Sequence, residues 1–199
     1  MKSNVCYLYN ENGIEDVLDE VEKTAKYNGF NGKQQLQLRL LAEELIGMIK
    51  VITGEYEAQF WIETGLSSCE IHMTLELLLE DDISEELSAI TEANRQAQSL
   101  VGEIYEFLIK NMAAKESYGF KQGDSMSKAS FKGLGTLNWS LNSYERVLSA
   151  NQETDKLDLL SKSIIAKLSD DILVSARDNQ AEIIIKKDFH QEDQMNNGK

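Results

Sequence analysis

The chain opens with a run of β-branched and aromatic residues, "NVCYLYN" (4–10), closed by Asn and Gly, which predicts a first strand. Apolar positions then fall at helical spacing. In "GIEDVLDEVEKTAKYNGF" (13–30) they are Ile14, Val17, Leu18, Val21 and Ala25, with acids early, lysines late and Gly29 as the stop. "NGKQQ" reads as a loop. The most periodic stretch follows: Leu38, Leu41, Leu45, Met48 and Ile52 keep the spacing of one helix face, Leu40 and Val51 broaden the stripe, and Gly54 closes it. Two alternating runs come next. "YEAQFWIET" carries Tyr56, Ala58, Phe60 and Ile62 on one side; "SCEIHMTLELLL" carries Cys69, Ile71, Met73, Leu75 and Leu77. The short link from Thr64 to Ser68 predicts a hairpin.

The second half is less regular. Residues 84–112 predict a long helix capped by Ser84, with Leu87, Ile90, Ala97, Val101, Ile104, Phe107 and Leu108 on its apolar side and a polar middle at Glu92–Gln98. Residues 113–135, rich in Gly, Ser and Lys, read as a mobile loop. Residues 136–150 fit a strand with a short tail or, less well, a helix. Residues 155–172 read as one amphipathic helix through Leu157, Leu160, Ile164, Leu168 and Ile172. Residues 172–189 predict a second hairpin, turning at Asp178–Asn179. The polar residues 190–199 predict a disordered tail. The order of elements predicts an α+β two-layer sandwich: a mixed, mostly antiparallel sheet with helices on one face. It forms one domain over 1–189, with a variable segment at about 84–150.

Charge narrows the function classes. The 34 acidic and 20 basic residues give a net charge of −14. Such a surface disfavours nucleic acid and anionic lipid, which are bound through Lys and Arg, and suits a basic protein partner. No apolar run reaches the roughly 18–20 residues of a membrane span, and the N-terminus lacks a signal-peptide pattern, so a cytoplasmic location is expected. Two cysteines, Cys6 and Cys69, are too few for a disulfide framework or a zinc cluster and read as reduced core thiols in strands. The chain has no proline, so no linker is marked by one.

The helix stretch "LRLLAEELIGMI" and the terminal "SKSIIAKLSDDILVSARDNQAEIIIKKDF" carry a family likeness. With the order strand, helix, paired-glutamate helix, hairpin, variable segment, helix, hairpin, the chain resembles the GHKL, or histidine-kinase-type, ATPases, near their anti-sigma-factor-like serine kinase branch. The likeness spans roughly residues 4–80 and 155–189. It implies a Bergerat-like fold and a magnesium–ATP site. In that family an N-box Glu activates water or the acceptor hydroxyl, and an Asn four residues on holds Mg²⁺. Glu44 matches the Glu, but four residues later stands Met48, whose thioether is a poor ligand for a hard cation. Aligning Glu43 instead puts Gly47 at the Asn position. The family's D-x-G-x-G box is replaced by "HMTLELLLEDDISEE", with Glu76 near the Asp position and Asp81 and Asp82 after it, but no glycine. "KGLGT" (132–136) offers Lys132, Gly133 and Gly135 as a phosphate turn. It stands about twenty residues too early, and a lone G-x-G is weak evidence.

Each candidate has a plainer reading beside it. Glu43 and Glu44 fit exposed helix carboxylates, a structural hydrogen bond, or a working site. His72 should point away from Ile71 and Met73, as a packing or solvent-facing histidine. His190 lies in the tail. Trp61 and Trp139 read as core anchors, with ligand stacking the minority reading, and the acidic run at 80–86 as a solvated helix start. No metal-ligand cluster or hydrolase signature is evident. Two functions follow. One is a regulatory, protein-binding domain on a GHKL-like scaffold with lost or weakened Mg-ATP binding. The other is an ATP-binding protein serine kinase of the anti-sigma type. Apolar helix faces also leave room for a homodimer.

Overall fold

The computed structural model describes residues 1–53, 55–76, 100–113, 137–177 and 180–189. The order is β1 (Cys6–Tyr9), α1 (Ile14–Tyr27), α2 (Gly32–Thr53), β2 (Glu57–Thr64), β3 (Ser68–Glu76), α3 (Leu100–Ala113), β4 (Leu137–Ser140), α4 (Leu141–Ala150), α5 (Thr154–Leu160), α6 (Ile164–Leu168), β5 (Asp171–Arg177) and β6 (Gln180–Asp188). The six strands form one sheet in the order β1-β2-β3-β6-β5-β4. Every neighbouring pair is antiparallel, so the mixed sheet expected from the sequence is corrected to a wholly antiparallel one among the described strands.

Strand alternation sorts the sheet into two faces. Ala58, Phe60 and Ile62 of β2, Cys69, Ile71, Met73 and Leu75 of β3, Ile172 and Val174 of β5, and Ala181, Ile183 and Ile185 of β6 are all buried. They join one core cluster with Val17, Leu18, Val21 and Ala25 of α1, the apolar stripe of α2, and Leu100, Ile104 and Leu108 of α3. The opposite face alternates in step and carries Glu57, Gln59, Trp61 and Glu63 on β2, of which Trp61 is half-buried and the others exposed. One buried and one largely polar face is the pattern of a two-layer sandwich.

The helix boundaries follow from capping. Helix α1 ends in a Schellman turn: the Phe30 N–H donates to Ala25 O and the Gly29 N–H to Lys26 O, with Gly29 at φ +73. Gly13, at φ +89, precedes α1; a Cβ there would lie 2.3 Å from Tyr7 O. "NGKQQ" is not a loop. It forms the start of α2, because Asn31 and Gln34 make a reciprocal capping box: the Gln34 N–H donates to Asn31 Oδ1 (3.0 Å) and the Asn31 N–H to Gln34 Oε1 (2.9 Å).

Two further expectations change. Residues 137–150 are strand and then helix, since the Ser140 hydroxyl accepts from the Ser143 N–H and turns the chain into α4. The single helix expected over 155–172 is two short ones. Ser163, in extended backbone, caps the second through the Ala166 N–H, and Asp171 already belongs to β5. Helix α3 realises the C-terminal part of the 84–112 expectation. Of the loop expected over 113–135, Ala113 still belongs to α3; the remainder, residues 77–99, Gly54, Asp178 and Asn179, and residues 190–199 lie outside the described residues.

Candidate functional site

The glutamate pair sits in the middle of α2, between buried residues. Leu38, Leu41, Leu45, Met48 and Ile52 are buried as the periodicity predicts. The stripe is widened by Ala42, Ile46 and Ile49, whereas Val51 is exposed and Leu40 half-buried. A helix turn of about 100° per residue then leaves Glu43 exposed and Glu44 half-buried at the edge of the stripe. Glu43 accepts a hydrogen bond from Arg39 Nε at 3.0 Å, and the same guanidinium reaches Glu22 on α1. Hydrogen bonds from Lys26 and Arg39 lower the pKa of Glu22, and the bond to Glu22, with Glu43 nearby, raises that of Arg39. Glu43 is therefore part of a brace between α1 and α2. Gly47 is exposed, and a Cβ added there meets nothing within 4 Å.

Met48 is 4% exposed and belongs to the core cluster. The donor set at this place is thus one half-buried carboxylate, a glycine without a side chain and a thioether turned into the core. It does not fit a magnesium–nucleotide, which needs hard oxygen ligands. Glu76 lies elsewhere. It is the exposed last residue of β3 and lines a cleft of about 780 Å³ with Tyr7, Tyr9, Asp16, Glu57 and Thr74; Glu43, Glu44, Gly47 and Met48 do not line it. Lys132, Gly133 and Gly135 lie outside the described residues.

A second constellation, on the opposite face of the sheet, was missed as a unit. Trp61 and His72 face each other across β2 and β3 and stack with ring centroids 4.9 Å apart and planes 10° from parallel. Lys2 Nζ sits 4.2 Å from the Trp61 ring centroid. Trp61 is therefore not a core anchor. Trp139 is half-buried against the core, tilted on Tyr144 at 5.8 Å. His72 does point away from Ile71 and Met73, yet it is only 7% exposed, and neither ring nitrogen has a hydrogen-bond partner among the described residues. Its neighbours are carboxylates: Glu70 Oε2 is 3.5 Å from Nε2 and Glu182 Oε1 is 3.8 Å from Nδ1. Glu63, opposite Glu70, accepts a hydrogen bond from Trp61 Nε1 at 3.1 Å. In the sequence, the signal was the period-two series Glu70, His72, Thr74; the register that adds Trp61, Glu63 and Glu182 is long-range.

Both cysteines are free. Cys69 is buried under the sheet, and burial pushes its thiol up to about 12, whereas Cys6 is half-buried with a smaller upward shift of the same origin. No family model and no curated protein sequence matches the chain. No helix among the described residues is long and apolar enough to cross a membrane.

Proposed function

We propose that the chain is a regulatory, protein-binding domain on a GHKL-like scaffold in which magnesium–nucleotide chemistry is lost or weakened. The order β1-α1-α2-β2-β3, a variable segment, short helices and the β5–β6 hairpin supports the scaffold. The observation that carries the reading is Met48: the side chain at the position where the family likeness requires a magnesium ligand is packed into the core. Glu43 is engaged by Arg39, so the helix that would work in an ATPase serves here as a packing and bracing element. With a net charge of −14, the partner is a protein with a basic contact surface.

The test is thermal unfolding with ATP or ADP and Mg²⁺. A nucleotide at 100 times its Kd would stabilise the fold by about 2.7 kcal/mol. The expected result is no shift at millimolar nucleotide. A clear shift that disappears in Glu44→Ala would overturn the proposal in favour of the serine kinase reading.

A further inference from the structure

We propose that Glu63, Glu70 and His72 form a binding site for a divalent transition-metal ion on the sheet face opposite α2. The register makes the site. Glu63 and Glu70 are direct cross-strand partners, and His72 lies two residues beyond Glu70 on the same face of β3. Each offers one ligand atom, and these atoms all lie within 4.8 Å of one another. Tetrahedral zinc, with bonds of about 2.0–2.2 Å, spaces its ligand atoms roughly 3.3–3.6 Å apart. Nε2 of His72 and Oε2 of Glu70 are already 3.5 Å apart. The two glutamate side chains, 39% and 46% exposed, can close the remaining distance by rotamer change.

Two further features point to a cation. Like charges directly opposite each other on a sheet are destabilising, and Glu63 faces Glu70. The lysines nearby only partly answer them: Lys186 Nζ is 3.3 Å from Glu70 Oε1, and Lys2 Nζ 3.8 Å from Glu63 Oε1, both lysines being about half-exposed. The stronger feature is His72. Its side chain is 9% exposed, both nitrogens are buried, neither is hydrogen-bonded among the described residues, and the polar groups beside them are the carboxylates of Glu70 and Glu182, an arrangement that a bound cation would satisfy.

With a metal on Nε2, the Nδ1–H faces Glu182 Oε1, at 3.8 Å, as the orienting carboxylate of a ligating histidine. Trp61 holds the imidazole plane from one side. An imidazole with two carboxylates suits zinc and its borderline neighbours better than calcium or magnesium. Three protein ligands leave a fourth position for water or a side chain of a partner. The site shares no residue with the Glu44 helix and stands whether or not that helix binds nucleotide.

The experiment uses the full, tag-free chain, stripped with EDTA and dialysed, titrated with Zn²⁺ by calorimetry. In a Trp139→Phe background it is also titrated with Co²⁺ while Trp61 fluorescence is followed. The expected result is one zinc per chain and saturable quenching of Trp61. Glu70→Gln and His72→Phe should each weaken binding at least tenfold, and Glu182→Gln about tenfold. No heat and no quenching at 1 mM ion (roughly the weakest affinity of extracellular ion modules), or unchanged affinity in both Glu70→Gln and His72→Phe, would overturn the site. Unchanged affinity in Glu182→Gln would overturn the orienting role given to Glu182. Should His72→Phe fail to fold, the exposed substitutions Glu63→Gln and Glu70→Gln decide by the same tenfold criterion.

Discussion

On the inner face of the sheet, the row Phe60, Met73, Ile183 and Val174 is fully buried and entirely apolar. One residue along the same strands, the outer row is Trp61, His72, Ile184 and Leu173, flanked by Glu63, Glu70, Lys186 and Glu182. The inner row satisfies itself: α2 contributes Leu41, Leu45, Met48 and Ile49, the four side chains of the row need no polar partner, and volume and shape decide the fit. The outer face carries a nine-tenths-buried imidazole without hydrogen bonds among the described residues, and two facing carboxylates. Stability alone explains the first arrangement and argues against the second. Buried polar groups left in this state mark the outer face, and not the glutamates of α2, as the place for a ligand.

The largest break of the contrast is Met48→Asn, which restores the residue type of a magnesium ligand to the N-box position. It places an amide among core side chains and removes apolar volume, so urea unfolding should show a loss of about 3–5 kcal/mol. Mg-ATP should return none of it. Recovery of stability with nucleotide would show that α2 can turn this position outward. Asn31→Ala removes half of the capping box that starts α2 and should cost about 1 kcal/mol in the same assay. An unchanged midpoint would mean that packing alone fixes where the helix begins.

Gly47→Ala works in the opposite direction. The added Cβ meets open space, so helix propensity should raise stability by up to about 1 kcal/mol, read as a higher melting temperature. A loss would show that this position is occupied closely by something. His72→Phe, on the outer face, keeps the stack on Trp61 and removes two unsatisfied nitrogens. The metal-free protein should show no loss, within about 0.5 kcal/mol. A loss above 2 kcal/mol would show that His72 is a structural residue, and the two faces would then differ less than their chemistry indicates.

Local signals in the chain were enough for much of the fold. The helical stripe of α2 is buried at each of its five predicted positions, Leu38 to Ile52, because a 3.6-residue period can serve only one face. Both hairpins follow from alternation and short links, and Gly29 from its place after the last lysine of α1. The misreadings were local competitions won by short polar side chains. Asn31 extended α2 backwards, Ser140 cut β4 to four residues, and Ser163 split the helix expected over 155–172. Each cap was visible as a residue type, but its weight against the hydrophobic pattern was set by the neighbours it could bond.

The sequence by itself determined which residues could be buried together, and it placed Met48 where the family likeness requires a magnesium ligand. Only the tertiary structure decided that Met48 is enclosed by the core and that Arg39, the i,i+4 partner of Glu43, also reaches Glu22 of α1, because both depend on what packs beside α2. It alone brought Glu63, Glu70, His72 and Glu182 together. Strand alternation tells which side of its strand a residue faces. Which residues of neighbouring strands stand opposite it is set by register, and register is fixed by the packing of the whole sheet.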